Sequence, residues 1–190
     1  MTEKILNNNQ VVVAGEIVSD FRFSHEIFGE GFYMVDLIVS RLSDAHDVIP
    51  LMVSDRLFDV EHSHIGEKVL AKGQFRSYNK HEESKNRLIL SVFVREIEVL
   101  SEEDDRDNKP NQIYLDGYIC KEPIYRMTPL GREIADILLA VNRAYGKSDY
   151  IPCICWGRIQ SREYQKKIGN DEIVNKVAYE VSVSKMECLE

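Results

Sequence analysis

Features that mark several classes of protein are rare in this chain. It has four cysteines, five prolines and one tryptophan among 190 residues. Its longest apolar runs, such as residues 137–141, are far shorter than the roughly 20 residues that a membrane-spanning helix needs. The first residues, Met1-Thr2-Glu3-Lys4, do not form the apolar core of a secretory signal peptide. These absences predict a cytoplasmic protein without a membrane segment.

Motifs for catalysis and for metal binding are also missing. The sequence has no glycine-rich phosphate loop and no nucleophile elbow. Cys153 and Cys155 have no second close pair that would complete a zinc site. Alternation along a strand places both on one face with Ile151, as small core side chains. His62 and His64 lack a third ligand. We therefore expect no catalytic residue, no metal, no cofactor and no enzymatic activity.

Acidic side chains outnumber basic ones, but unevenly along the chain. The formal net charge is -8. Residues 10–100 contain ten Lys or Arg against fifteen Asp or Glu, whereas residues 111–168 contain nine against six. The segment between them, residues 101–110, is acidic and polar, which is typical of a solvated linker. The second half is therefore better suited than the first to contact phosphate groups.

The sequence repeats itself after 102 residues. Residues 9–15 (NQVVVAG) return as residues 111–117 (NQIYLDG), and the same spacing relates Arg41 to Arg143. A repeat of this length corresponds to a small domain rather than to a solenoid unit. We therefore predict two copies of one module. The predicted division is a first domain at residues 8–100, the acidic linker at 101–110 and a second domain at 111–190.

Alternating apolar residues, separated by turn residues, predict five strands in each copy. In the first copy they cover residues 11–18, 32–41, 47–53, 69–78 and 87–99, with a candidate helix at 58–65. In the second copy they cover residues 113–120, 134–143, 149–156, 159–165 and 177–187. Five strands with a helix between the third and fourth are typical of the oligonucleotide-binding (OB) fold. The predicted fold class is all-β, with two tandem five-stranded Greek-key barrels.

The second copy lacks a segment that the first copy has. Ser77 corresponds to Ser161, only 84 residues later, so 18 residues have no counterpart. They should contain the helix and the start of the fourth strand. Either the second copy is a broken barrel, or a segment is absent from the sequence. We favour the second explanation, and it predicts a break in space between Arg158 and Ile159.

Four segments of the second copy follow one another in a specific order. They are residues 115–119 (LDGYI), 122–131 (EPIYRMTPLG), 140–143 (AVNR) and 149–157 (DYIPCICWG). In this order they resemble the bacterial single-stranded DNA-binding (SSB) protein family, and the repeat extends the resemblance to the first copy. The resemblance implies non-enzymatic, sequence-tolerant binding of single-stranded DNA in replication, repair or recombination.

The resemblance also implies partners and location. Family members with two barrels per chain assemble as dimers, which implies a homodimer with four OB barrels, associated with the nucleoid. Replication or repair proteins would be further partners. RNA stays open as a ligand because ring stacking tolerates it. The alternative is a primosome-type or regulatory OB protein that acts mainly through protein–protein contacts, which the acidic first copy favours.

Binding of single strands needs cations for the phosphates and exposed rings for the bases. Tyr150 and Trp156 are expected to face outward on the predicted third strand. Tyr164 lies on the next strand, where the family places a stacking aromatic residue, and Arg143 lies where the family places a cation. The predicted nucleic-acid-binding residues are Tyr150, Trp156, Tyr164, Arg143, Lys147, Arg126, Arg158, Arg162, Lys166, Tyr78 and Arg76.

The first copy keeps fewer of these side chains. It has Tyr78, but Val48 and Ser54 stand where the second copy has its tyrosine and its tryptophan. We therefore interpret the first copy mainly as a scaffold or an interaction barrel. Phe23 and Tyr125, which occupy equivalent positions in the two copies, are expected in the core or in an interface.

Overall fold

The computed structural model describes residues 7–41, 45–82, 85–101, 110–127, 131, 133–151, 155–168 and 172–185. Within these residues the chain forms fourteen β-strands and a single 3-10 turn at Ala144–Gly146. No helix in this part of the chain is long and apolar enough to cross a membrane. The prediction of an all-β fold is confirmed.

The first copy contains six strands. They are β1 (Asn9–Ile17), β2 (Arg22–Ile27), β3 (Glu30–Ser40), β4 (His46–Ser54), β5 (Lys68–Glu82) and β6 (Lys85–Val99). Strand β2 was not predicted. The candidate helix at 58–65 was wrong, because residues 55–67 form turns and irregular structure. Phe58 packs its ring against Phe21 and His64, with centroids 5.9 and 4.7 Å away, so tertiary contacts order this short segment.

The strands of the first copy close into a barrel. Strand β1 pairs with β5 on one side and with β3 on the other, and the ring is completed through β6 and β4. The β4–β6 pairing is parallel and the other pairings are antiparallel. Every second side chain points inward, so that Leu37, Ile49 and Leu51 are fully buried. This closed five-stranded ring is the OB barrel expected from the sequence.

The second copy contains the remaining eight strands. They are β7 (Asn111–Leu115), β8 (Tyr118–Ile119), β9 (Ile124–Met127), β10 (Glu133–Asp136), β11 (Leu139–Asn142), β12 (Ser148–Ile151), β13 (Cys155–Ile168) and β14 (Glu172–Lys185). Strands β7, β13 and β14 join the large sheet of the first copy, whereas β8, β11 and β12 form a separate sheet. In the described residues no pairing joins β12 to β14, the counterparts of β4 and β6. Within the residues that the structure describes, this second ring is therefore not closed.

The predicted break between Arg158 and Ile159 is wrong. Strand β13 runs through both residues, which pair with consecutive residues of β14. Gly157 lies opposite Ile113 just as Gly73 lies opposite Val11, so the 84-residue spacing already applies there. Cys155 and Trp156 therefore belong to the fourth strand, not to the third. The shortening therefore falls between Ile151, the last residue of β12, and Cys155, the first of β13, and residues 152–154 lie outside the described part of the chain.

The two copies are joined through equivalent strands. Strands β1 and β7 pair antiparallel, with Val11 directly opposite its repeat partner Ile113. This pairing gives the two copies an approximate two-fold relation. Ile113 and Ile159 are buried in the same apolar cluster as Val11. The second copy thus shares the core of the first.

Candidate nucleic-acid interface

Arg143, a predicted phosphate contact, lies in the contact between the two copies. It forms an ion pair with Asp149, whose side chain is almost fully buried. Its guanidinium also donates to the carbonyl oxygen of Ser77 in the first copy (2.9 Å), and the Ser77 amide donates to Oδ1 of Asp149 (2.6 Å). The structure therefore brings Arg143 to the joint between β12 and β5, with its Nε and Nη2 engaged by protein groups.

The equivalent contact occurs on the other side of the approximate two-fold axis. Arg41 pairs with the buried carboxylate of Asp47 at 2.5 Å. The amide of Ser161 donates to Oδ1 of Asp47 (2.7 Å), and Arg41 donates to the Ser161 carbonyl (3.3 Å). The hydrogen bond with Asp47 raises the pKa of Arg41. Each copy thus fixes the fourth strand of the other with the same three residue types.

The structure brings two predicted rings from different copies to one joint. The Tyr150 amide donates to Oγ of Ser77 (3.1 Å), and Tyr78 is the next residue along β5. Both rings are exposed, Tyr150 to 54%. Tyr164, also exposed, lies farther along β13 opposite Lys176. At the equivalent joint the Val48 amide donates to Ser161 Oγ (3.0 Å). Val48 therefore stands in the place of Tyr150, and Arg162, the residue after Ser161, stands in the place of Tyr78.

The predicted cations occupy different surroundings. Lys147 and Lys166 are exposed. Arg162 lies 3.5 Å from Glu180, and its side chain is half exposed. The side chains of Trp156, Arg126 and Arg158 lie outside the described part of the structure.

A cleft of about 620 Å³ lies beside the tyrosine-containing joint. The first copy contributes Lys72, Arg76 and Arg95 to its lining, and the second contributes Asn142 and Arg143. Basic side chains of the acidic first copy are therefore gathered on one surface. Lys72 is held by Glu96 at 3.0 Å, and this contact raises the pKa of Lys72.

Arg76 and Arg95 share an aromatic partner that the sequence did not reveal. The guanidinium of Arg76 lies 3.9 Å from the ring centroid of Phe93, and that of Arg95 lies 5.6 Å away. Arg76 also donates to Gln74 (2.8 Å). The three residues come from adjacent strands, β5 and β6, so spacing along the sequence gave no signal. Only the strand register would have shown the group.

Phe23 and Tyr125 were expected in the core or in an interface; the core half was wrong, and the interface half stays a prediction. Tyr125 is 78% exposed, and Phe23 is also exposed. In the part of the chain that the structure describes, both lie on strands that pair with one neighbour, β2 with β3 and β9 with β10. Such hairpins project from the barrel, so their side chains are only partly covered. Phe23 contacts Tyr33 edge-on, with ring centroids 5.5 Å apart.

The fold and these surfaces define the chain as a protein of two linked OB units. No family model matches it. Single-stranded DNA-binding protein B of Bacillus subtilis (strain 168) is 32% identical over 93 residues, which cover 35% of this chain and 82% of that relative. The chain belongs to the SSB protein family.

Two further comparisons bear on length and fold. Single-stranded DNA-binding protein 2 of Listeria innocua serovar 6a is 30% identical over 96 residues, covering 37% of this chain and 60% of the relative. The match thus spans less than two thirds of that relative's length. The wild-type single-stranded DNA-binding protein of Thermus aquaticus is 15% identical, with a TM-score of 0.64 and 96% of each chain covered. That likeness extends across both OB units.

The comparison with the Bacillus protein also bears on the shortened connection. The match is 93 residues long but takes up only 35% of this chain, or about 67 of its 190 residues. The relative therefore has residues inside the match that this chain lacks. The difference is about 26 residues, more than the 18 that are missing between the two copies of the repeat.

Proposed function

We propose that the chain binds single-stranded DNA with little sequence preference, without catalysing a reaction, in replication, repair or recombination. One observation carries the proposal: a member of the SSB family exposes Tyr150 just after the exposed Lys147, and exposes Tyr164 on a strand with exposed Arg162 and Lys166. Stacking of one base on one aromatic ring contributes about 1–3 kcal/mol, and it tolerates any base because every base has a flat face.

The proposed contacts fall into two groups. The stacking rings are Tyr150, Trp156, Tyr164 and Tyr78. The phosphate contacts are Lys147, Lys166, Arg162, Arg158, Arg126 and Arg76. Arg143 acts in this proposal by fixing β12 against β5 through Asp149 and Ser77, which sets the position of Tyr150.

The test is a titration with oligo-dT at several salt concentrations, followed through the fluorescence of Trp156. We expect quenching on binding, and an affinity whose logarithm falls linearly with the logarithm of salt concentration, because bound cations release counterions. Tyr150→Ala should weaken binding by about 1–3 kcal/mol, or roughly 5- to 150-fold. Phe28→Ala, which removes a fully exposed ring on the β2–β3 turn, is the matched control. Unquenched Trp156 and no binding at low salt would contradict the proposal.

We also propose a homodimer that acts in the cytoplasm at the nucleoid. Strand β14 lies at the edge of the nine-stranded sheet and exposes Val177 and Val183. An edge strand with exposed apolar side chains favours pairing with a second copy. Native mass spectrometry should show twice the chain mass of 22.0 kDa. The mass of a single chain would show that the edge stays unpaired.

A second candidate function is docking of replication or repair proteins on the first copy. Phe28 is 100% exposed at the tip of the β2–β3 turn and has φ of 51°, a backbone conformation that costs a non-glycine residue roughly 1–2 kcal/mol. Phe23 and Ile27 are exposed beside it. If the chain binds no oligo-dT while Phe28→Ser abolishes capture of a purified partner, this candidate replaces the first.

A further inference from the structure

Three residues of the second copy form a row across its separate sheet. Ala140 on β11 lies directly opposite Tyr118 on β8 and directly opposite Tyr150 on β12. Directly opposed residues of antiparallel strands point to the same face of a sheet. Tyr118 is 72% exposed, so two accessible rings flank one small side chain. Leu139 and Val141, the neighbours of Ala140, are buried on the other face.

The spacing of this row fits a flat ligand. Neighbouring strands are about 4.8 Å apart, so strands β8 and β12 are separated by about 9.6 Å across β11. A planar group that touches a ring on each side at roughly 3.5–4 Å needs about 7–8 Å between the rings. Because Ala140 has only a methyl group, the space between the tyrosines is left open above it. Rings that lean inward by about 1 Å each would enclose one planar group.

The first copy provides an internal comparison. The equivalent row there is Glu16, Ile38 and Val48, with the same register across β1, β3 and β4. The backbone geometry is the same as well. A Cβ on Gly15 would lie 2.2 Å from the carbonyl oxygen of Ile38, so glycine permits the close approach of the strands.

Gly117 permits the same close approach in the second copy, where a Cβ would lie 2.4 Å from the Ala140 carbonyl oxygen. The two copies thus differ in side chains rather than in backbone. The first has a carboxylate, which repels phosphate, and a branched side chain that fills the middle. The second has the ring of Tyr118, the small side chain of Ala140 and the ring of Tyr150.

Polar groups at one end of the row suit a nucleotide. Ser148 donates to Oδ1 of Asn142 (3.1 Å), and these residues form the next opposed pair on the same face of β11 and β12. Lys147 is exposed immediately before Ser148. A base held between the rings would therefore have its sugar–phosphate within reach of a cation.

We infer that Tyr118, Ala140 and Tyr150 form a slot that holds a single unpaired nucleobase between two tyrosine rings. This inference rests on the proposed binding of single-stranded DNA and adds Tyr118, which carries no role in that proposal. The slot is specific for the flat shape of a base rather than for its hydrogen-bonding edge. The first copy, with its different row, has no such slot.

The test compares two variants in the same oligo-dT titration, with an oligonucleotide that contains one 2-aminopurine. Tyr118→Ala removes one wall. Ala140→Ile fills the slot with the side chain that the first copy has at the equivalent residue, so the strand pairing is expected to tolerate it. Tyr125→Ala, which removes an equally exposed ring of the same copy from a different sheet, is the matched control. Thermal unfolding of each variant checks that it is folded.

We expect Tyr118→Ala and Ala140→Ile each to weaken binding by roughly 5-fold or more and to reduce 2-aminopurine quenching, with Tyr125→Ala close to wild type. The double variant should bind no more weakly than the weaker single variant, because both changes remove the same contact. Wild-type affinity in both single variants, while the wild-type chain binds oligo-dT, overturns the slot and leaves the proposed function standing. No binding by the wild-type chain overturns both.

Discussion

At the scale of single residues, two buried aspartates determine how the copies are held together. Asp47 and Asp149 have almost no side-chain exposure, and each accepts a hydrogen bond from a serine amide of the other copy. A buried carboxylate requires a counter-charge and filled hydrogen-bond positions, and the arginine and the amide supply both. The repeat identified these aspartates as equivalent, but not their partners, because each partner serine lies in the opposite copy.

Asp47→Ala should lower the free energy of unfolding by about 1–3 kcal/mol. The change leaves the Ser161 amide without its acceptor and removes the counter-charge of Arg41, and a buried unsatisfied donor costs about this much. Urea unfolding measures the effect. Asp36→Ala is the control, since it breaks the more exposed Arg22 pair and should cost under about 1 kcal/mol. Equal losses in the two variants would show that the inter-copy contact adds no stability.

At the scale of strands, the sequence predicted the first copy well and the third and fourth strands of the second copy poorly. In the first copy, alternation and intervening turn residues located β3 to β6 within a few residues. In the second copy, residues 149–156 form one apolar stretch, and nothing in its pattern shows that the chain passes from β12 to β13 within it. Strand alternation predicted that Tyr150 faces outward, and the family pattern pointed to Tyr164; both are exposed. Tyr118 and Phe93 become significant only through cross-strand register.

The closure of the first barrel leads to a prediction about Gly15. A Cβ there would meet the Ile38 carbonyl of β3, so Gly15→Ala must push β1 and β3 apart. We expect a loss of about 1–3 kcal/mol in stability and faster hydrogen exchange at the Val18 amide, which donates to the Asp36 carbonyl (3.0 Å).

Gly29→Ala is the control for this change. Gly29 has φ of 75°, and a Cβ added to it would have no neighbour within 4 Å, so alanine there strains only the turn. The Val18 amide should then keep its protection. Equal exchange at Val18 in the two variants would mean that the β1–β3 contact does not depend on Gly15.

At the scale of the whole molecule, the two copies are expected to unfold together. Their buried residues form one cluster, and β1 pairs directly with β7. Because Trp156 is the single tryptophan, its fluorescence reports on the second copy, whereas far-ultraviolet circular dichroism reports on both. The two urea transitions should coincide. A fluorescence transition at clearly lower urea would show that the second copy unfolds by itself.

The approximate two-fold relation has one more consequence, which concerns the direction of a bound strand. Two identical subunits would present the same surface to DNA read from either end. Here one joint has Tyr78 and Tyr150, and its counterpart has Arg162 and Val48. Because the copies are joined in one chain, each half could change alone. A single strand laid across both joints would therefore have the tyrosine rings near one of its ends and not near the other. Its 5′ and 3′ ends are therefore no longer interchangeable.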